Sequence, residues 1–404
     1  MMDYNERKKC TEVFRVSWDD RGVIPLNVCA RRLLKGLKQN QTAKRVQQQS
    51  ISELVTFAPA ALLLTLITFH ILQFIFVSST YGMVQKLDTS GNETGAKLYQ
   101  YSDIISTRGH FDYHSAGQLI QGHNITDYAY SNDFTNISNN KVFNKLTCPQ
   151  GKEIAIYIHG AWTDDRSANE QFNRTAVSLM SNNYMIPLFG FSWDSNTPID
   201  KDGWETAKNI AEMNGPKLAQ FVVDFKNKCK DTDIRFIAHS LGAEVVNSTL
   251  ASLGSNQQWN DKNRLNITSV HLLGAAIDRS SVAGNATFGK AIDKLVDDFY
   301  NLRNSEDNML EYVYRYVEER DALGLLGISH SMPLPKNYFE REVNYEIPPI
   351  QDVDGNSKLD CFDFFVILPG DNPCGYIGAR GLPPFDNIPR NDGAIDIVIQ
   401  DWSE

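Results

Sequence analysis

Basic residues are outnumbered in this chain: 39 Lys and Arg stand against 49 Asp and Glu, a net charge of −10. That balance argues against nucleic acid as a main partner, because phosphate binding wants a basic face. Glycine (26) and proline (15) are too few for a collagen-like repeat. With 42% hydrophobic and 22% charged residues, a wholly disordered chain is excluded as well. Charge is missing altogether from one stretch, since none appears between Glu53 and Lys86. Histidine is scarce late in the chain: of eight, only His330 follows residue 307. What remains is 404 residues, enough for two or three structural units.

The charge-free stretch includes Leu54 to Val77, 24 residues. As a helix it would reach roughly 36 Å, enough to cross a bilayer core of about 30 Å. Residues 1–52 hold 11 Lys and Arg against 5 Asp and Glu, and Arg31, Arg32, Lys35, Lys38, Lys44 and Arg45 crowd the flank of the span. The positive-inside tendency keeps such a flank in the cytoplasm. A cleaved signal peptide has a much shorter charged region than these fifty-odd residues. The expected organisation is a basic cytoplasmic tail (1–52), a transmembrane helix (53–77), an extracellular stalk with the first strands of the outer domain (78–150), and a catalytic domain (151–404). Seven glycosylation sequons follow the span, at Asn92, Asn124, Asn136, Asn173, Asn247, Asn266 and Asn285. One, at Asn40, precedes it. Four of the six cysteines also lie on the outer side, an even number that suits an oxidising space.

From Glu153 short apolar runs alternate with helical stretches. Strands are expected at Ile154–Ile158, Ile186–Trp193, Ile234–Ala238, Val270–Ile277 and Tyr300–Arg303. Helices are expected at Ser167–Ser181, Trp204–Lys228 (broken near Gly215 and Pro216), Ala243–Leu253 and Ala291–Phe299. Continuous apolar runs bracketed by helices point to parallel strands buried on both faces. Chemistry in such folds collects at the carboxyl ends of the strands. His159, Ser240, Asp278 and Asp307 fall there.

The sharpest signal is Ala238-His239-Ser240-Leu241-Gly242, between a strand and a helix. This is a nucleophile elbow, with small residues flanking a serine in a tight turn that projects its hydroxyl at a helix start. A strand–helix turn without catalysis would need the same small residues.

On this motif the chain, from about Gly151 onward, resembles the α/β-hydrolase superfamily, specifically its lipase- and esterase-like serine hydrolases. The resemblance implies a doubly wound, mostly parallel sheet. It implies an acyl-enzyme mechanism with Ser240 as nucleophile and two backbone oxyanion donors, Ala161 (or Trp162) and Leu241. The acid would be Asp307, or alternatively Asp278, the position some lipases use. In the order serine, acid, histidine the base would be His330. Relatives also carry a Gly-Asp-Asn-His-x-Gly-Tyr stretch nearer the C-terminus. Here it reads Gly370-Asp371-Asn372-Pro373-Cys374-Gly375-Tyr376, with proline in the histidine's place. A membrane-anchored extracellular esterase follows, acting on a small-molecule or lipid ester with no catalytic cofactor. A catalytically decayed surface binding protein, and an amidase or peptidase on the same triad, remain as alternatives.

Two further expectations concern stability. Asp352, Asp354, Asn356, Lys358 (through its carbonyl), Asp360 and Asp363 have the spacing with which one loop wraps a calcium ion. A plain acidic turn reads the same way, and a strand is expected after it at Phe362–Leu368. In the superfamily's sheet the strands after Cys148 and Cys229 are neighbours, so the resemblance pairs those two cysteines. It leaves Cys361 to pair with Cys374.

Overall fold

The central strands are apolar along most of their length because both faces of the sheet are covered there. In β5 (Glu153–Ile158), Ile154, Ile156 and Ile158 enter one core and Ala155 and Tyr157 the other. In β7 (Asp233–His239), Phe236 and Ala238 likewise face away from Ile237. Alternation within a continuous hydrophobic run follows from the strand's period of two. The computed structural model describes residues 103–131, 146–149, 151–255, 267–347, 373–378 and 393–403. All lie in one unit, Ala96–Glu404.

The remaining elements are β1 (Asp103–Ser106), β2 (Phe111–Asp112), β3 (Gln118–Leu119), β4 (Ala129–Ser131), α1 (Asp165–Ser181), β6 (Leu188–Ser192), α2 (Lys201–Lys228), α3 (Gly242–Ser255), β8 (Ile267–Leu273), α4 (Thr287–Leu295) and β9 (Val296–Arg303). A π-helical turn (Met309–Tyr314), α5 (Arg315–Glu318), α6 (Leu323–Leu326), β10 (Tyr338–Glu342), α7 (Pro373–Ile377) and α8 (Ile395–Ser403) follow. Eight strands form one sheet in the order β10-β9-β8-β7-β5-β6-β1-β4. Every pairing is parallel except β1 with β4 at the edge. Residues of α2, α3 and α4, among them Trp204, Phe221, Val246, Leu250, Phe288 and Ile292, build the core on one face. Phe172 and Leu179 of α1, Tyr376 of α7, and Val398 and Trp402 of α8 build the core on the other. The doubly wound, mostly parallel sheet is the expected one.

Several boundaries differ from expectation. Strand β1 pairs in parallel with β6 (Ile104 opposite Gly190) and extends the sheet upstream of residue 151, within the stretch 78–150 where first strands are expected. Helix α2 is not broken: it runs for 28 residues with Pro216 inside it. Proline removes the N–H that would reach the Glu212 carbonyl, and the Ser248 hydroxyl of α3 donates to that carbonyl instead at 2.5 Å. Strand β8 ends at Leu273, short of Ile277, and α4 gives way to β9 at Val296. Cys148 and Cys229 are joined, with Cα atoms 5.5 Å apart, as the adjacency of β5 and β7 requires.

The basic tail, the span 54–77, the calcium loop 352–363, the strand 362–368 and the pairing of Cys361 with Cys374 lie outside the described residues. Among the described residues no helix is long and apolar enough to cross a membrane. Nor do three His, Cys, Asp or Glu side chains converge there to hold a metal ion.

Candidate active site

Strand β7 runs into α3 through a single residue in the left-handed region, Ser240 at φ +52°. For a non-glycine residue that conformation costs about 1–2 kcal/mol. The neighbouring backbone holds it in place. Ser240 N–H donates to Leu273 O at 3.0 Å, and Ser240 O accepts from Ala243 N and Ala276 N, both at 3.1 Å. The side chain is partly exposed and its hydroxyl makes no hydrogen bond among the described residues. A strained, free and reachable hydroxyl is what nucleophilic attack needs.

The loop after β5 presses against this turn. A Cβ on Gly160 would lie 2.8 Å from the Ser240 Cβ, so only glycine lets the two backbones approach this closely. The N–H groups then sort themselves. Trp162, at φ +53°, donates its N–H to Ser195 O at 2.7 Å and is therefore engaged. The N–H groups of Ala161 and Leu241 have no acceptor among the described residues. Of the two donors considered for the loop, the free one is Ala161. A network that the sequence did not reveal holds the loop in shape. Arg108 donates to Thr163 O (3.0 Å) and Ser192 Oγ (2.8 Å), and Ser195 Oγ donates to Thr163 O (2.9 Å). Gly160→Ala is expected to push the loop off the serine, slowing reaction at Ser240 at least tenfold and lowering stability by about 1–3 kcal/mol. Serine-labelling rates and thermal melts check it; unchanged labelling would show that the loop takes no part.

Asp307 follows β9 and is 1% exposed. Oδ1 accepts from Leu310 N at 2.9 Å, opening the π-helical turn, and Oδ2 accepts from the Tyr376 hydroxyl at 2.9 Å. Burial is the largest influence and pushes its carboxyl from 3.8 up to about 7, with hydrogen bonds from Leu310, Tyr376 and Met309 opposing. The sign is that of a raised acid: between about pH 4 and pH 7 the folded state binds the proton more readily than the unfolded one. This contribution to stability is present in full below that window and lost as pH climbs through it, at about 1.4 kcal/mol per unit of displacement. Denaturant titrations at pH 5 and pH 8 are expected to show Asp307→Asn gaining on the natural chain at the higher pH. Parallel curves would refute the assignment of the displacement to this group.

Asp278 is placed differently. It is partly exposed and accepts from Ser280 N, Ser280 Oγ and Arg320 Nη1, each at 2.7 Å. Burial acts to raise its carboxyl, but the bonds to Ser280 and Arg320 outweigh burial and hold it below the ordinary value. It secures the turn after β8 and carries no imidazole.

His330 does not join the group. It is exposed, lies between α6 and the start of β10, and makes no hydrogen bond, ion pair or ring contact among the described residues. His159 is committed elsewhere: its Nε2 accepts from Trp193 N (3.1 Å), which leaves the proton on Nδ1, facing Gly160 O at 2.9 Å. His239 is buried with both nitrogens unpaired, its ring 5.3 Å from that of Tyr376, and burial lowers its pKa to about 4. Tyr376 is the residue that sequence reasoning missed as a partner of the acid, although its Gly-Tyr stretch was visible. Its hydroxyl lies 2.5 Å from where a Cβ on Gly274 would stand, which requires glycine at that turn (φ +54°).

Acidic and aromatic groups lie along α3 and the loop after β5. Glu244, one turn along α3, is raised to about 7, by burial first and by Glu212 second. Trp162 packs on Trp204 (5.5 Å), which meets Tyr314 edge-on (5.9 Å) and donates its Nε1–H to Glu318 at 2.6 Å.

Residues 135–334 match the model of a family described as alpha/beta hydrolase of unknown function (DUF900). The mostly parallel sheet fits the fold that description names. The matched span includes Ser240, Asp278, Asp307 and His330 and stops short of Tyr376. Among solved structures, the catalytic core of an acetyl xylan esterase from Trichoderma reesei is 11% identical with a TM-score of 0.24, covering 33% of this chain and 66% of its own. The product of gene lin2722 from Listeria innocua is 11% identical with a TM-score of 0.29, covering 48% and 84%. A cutinase-like protein from Cryptococcus sp. is 10% identical with a TM-score of 0.26, covering 50% and 78%. A curated protein, the bifunctional protein FolD of Ligilactobacillus salivarius, is 30% identical over 99 residues, 24% of this chain. The match spans 35% of that relative's length.

Proposed function

We propose that this α/β hydrolase is a serine esterase in which Ser240 attacks the carbonyl of a carboxylic ester and carries the acyl group. The observation that carries this reading is the left-handed Ser240, its hydroxyl free, beside two unengaged N–H groups. Ala161 and Leu241 stabilise the oxyanion, each donor being worth about 10²–10³ in rate. Asp307 is the acid of the site, and Asp278 holds a turn. The acidic surroundings of Glu244 and Glu318 suit neutral or cationic esters better than anionic ones. The apolar run 54–77 behind a basic tail supports a single-pass anchor with the hydrolase domain outside the cell. The disulfide between Cys148 and Cys229 supports the same oxidising location.

A fluorophosphonate probe is expected to label the full chain at Ser240 and to leave Ser240→Ala unlabelled. A folded natural chain that never labels would sink the reading. The second reading, a hydrolase fold used for binding ester or acyl ligands, draws on one observation: neither Asp307 nor Asp278 holds an imidazole.

A further inference from the structure

The two donors assigned to the oxyanion are held in different ways. Leu241 follows Ser240 in the elbow, whose backbone is fixed by its own hydrogen bonds. Ala161 lies in a loop, so other groups must decide which way its N–H points. A peptide unit is planar and trans, and the N–H of Ala161 therefore points opposite to the carbonyl of Gly160. That carbonyl accepts from His159 Nδ1–H at 2.9 Å. The proton is on Nδ1 because Nε2 accepts, from Trp193 N–H at 3.1 Å and from Arg108 Nη2 at 3.3 Å. Two residues beyond Ala161, the Thr163 carbonyl accepts from the same Arg108 Nη2 at 3.0 Å. Arg108 Nε also donates to Ser192 Oγ of β6 at 2.8 Å. One guanidinium thus braces the Ala161 peptide from both sides, through the imidazole behind it and the carbonyl ahead of it.

Arg108 is poorly explained as a surface charge. Its side chain is 18% exposed, and its ion pair with Asp165 spans 3.9 Å to a carboxylate that is 61% exposed. Pairs of that kind contribute little. Its planar fork of donors is instead engaged by three neutral acceptors, in β6 and in the loop after β5. The adjoining backbone is fixed as well. Asp194, just past β6, accepts from the N–H groups of Gly109 (2.9 Å), His110 (3.1 Å) and Phe111 (3.0 Å). The arginine comes from the loop after β1, upstream of the residues 135–334 that match the family.

We infer that Arg108 is a positioning residue for the oxyanion pocket, setting the direction of the Ala161 N–H through His159 and Thr163. The inference rests on Ser240 being the nucleophile and on Ala161 being one of its oxyanion donors. Without the guanidinium, Trp162 N–H still reaches Ser195 O, so the loop loosens rather than collapses. Binding before the reaction is then left intact, while stabilisation of the developing charge falls.

The test uses the full chain and a fluorophosphonate probe, with the labelling rate at saturation and the half-saturating concentration measured separately. Arg108→Ala is expected to label about 10–100-fold more slowly at saturation, part of the 10²–10³ that outright loss of an oxyanion donor costs. Its half-saturating concentration is expected to stay that of the natural chain. Free methylguanidine is expected to restore the rate in Arg108→Ala and to leave the natural chain unaffected. Arg108→Lys is expected to stay slow, because a compact ammonium cannot meet three spread acceptors. That variant carries the rate comparison if Arg108→Ala misfolds. A second largely buried arginine, Arg235, bonds Glu153 and Ser269 in the amino-terminal half of β7 and controls for lost stability. Arg235→Ala is expected to melt lower and to label at the natural rate. A folded Arg108→Ala or Arg108→Lys labelling at the natural rate overturns the inference and leaves Ser240 as the nucleophile. Slowing shared by Arg235→Ala overturns it too, by reducing the effect to stability. A folded natural chain that never labels overturns both the inference and the reading beneath it.

Discussion

Ser240→Gly is expected to make the protein more stable by about 0.5–1 kcal/mol while removing all reaction at the site. The stability gain comes from the backbone. At φ +52° a residue with a Cβ carries about 1–2 kcal/mol of strain that glycine does not, less the entropy glycine loses on folding. Ser240→Ala keeps the strain and serves as the control, with stability near that of the natural chain and no labelling. The loss of reaction is expected to be complete in both because each removes the hydroxyl that the strained turn presents. Thermal melts of the three proteins, with probe labelling of each, make the comparison. A glycine variant less stable than the alanine one would mean that the turn is not strained, and the main argument for an evolved nucleophile would go with it.

Removing the disulfide should be the most destabilising change outside the core. Cys148 and Cys229 are 81 residues apart, and the loop they close contains β5, α1, β6 and α2. A crosslink of that span restricts the unfolded chain by roughly 4–5 kcal/mol. A domain whose whole stability is about 5–15 kcal/mol would feel that severely. The double variant Cys148→Ser with Cys229→Ser is expected to unfold at much lower denaturant concentration than the natural chain. Reductant is expected to shift the natural chain to the same midpoint and to leave the double variant unmoved. A shift below about 1 kcal/mol would show that the bond is incidental, and would remove one support for an oxidising location.

Local pattern carried much of the fold. Ile154–Ile158 and Ile234–Ala238 read as buried strands because their apolar runs are short and bracketed by helical stretches, and both are strands here. The errors have local causes too. Pro216 signals a break in any isolated helix, and only the Ser248 hydroxyl on the neighbouring helix α3 offsets the lost hydrogen bond. The sequence puts the first strands only somewhere within 78–150, because the four residues of β1 give little periodicity, and the place of β1 is set by pairing with β6, more than eighty residues on.

By itself the sequence determined the parallel sheet, the serine elbow, the two candidate acids and the pairing of Cys148 with Cys229 that the superfamily's strand order implied. These depend on residue types a few positions apart, or on the order of strands, and the chain displays both directly. Tertiary structure alone decided which N–H groups are free, that Asp307 meets Tyr376 rather than an imidazole, and that His330 is exposed. Those outcomes depend on contacts between segments tens of residues apart. Such contacts follow from how the helices pack on the finished sheet, and no spacing within a motif encodes them.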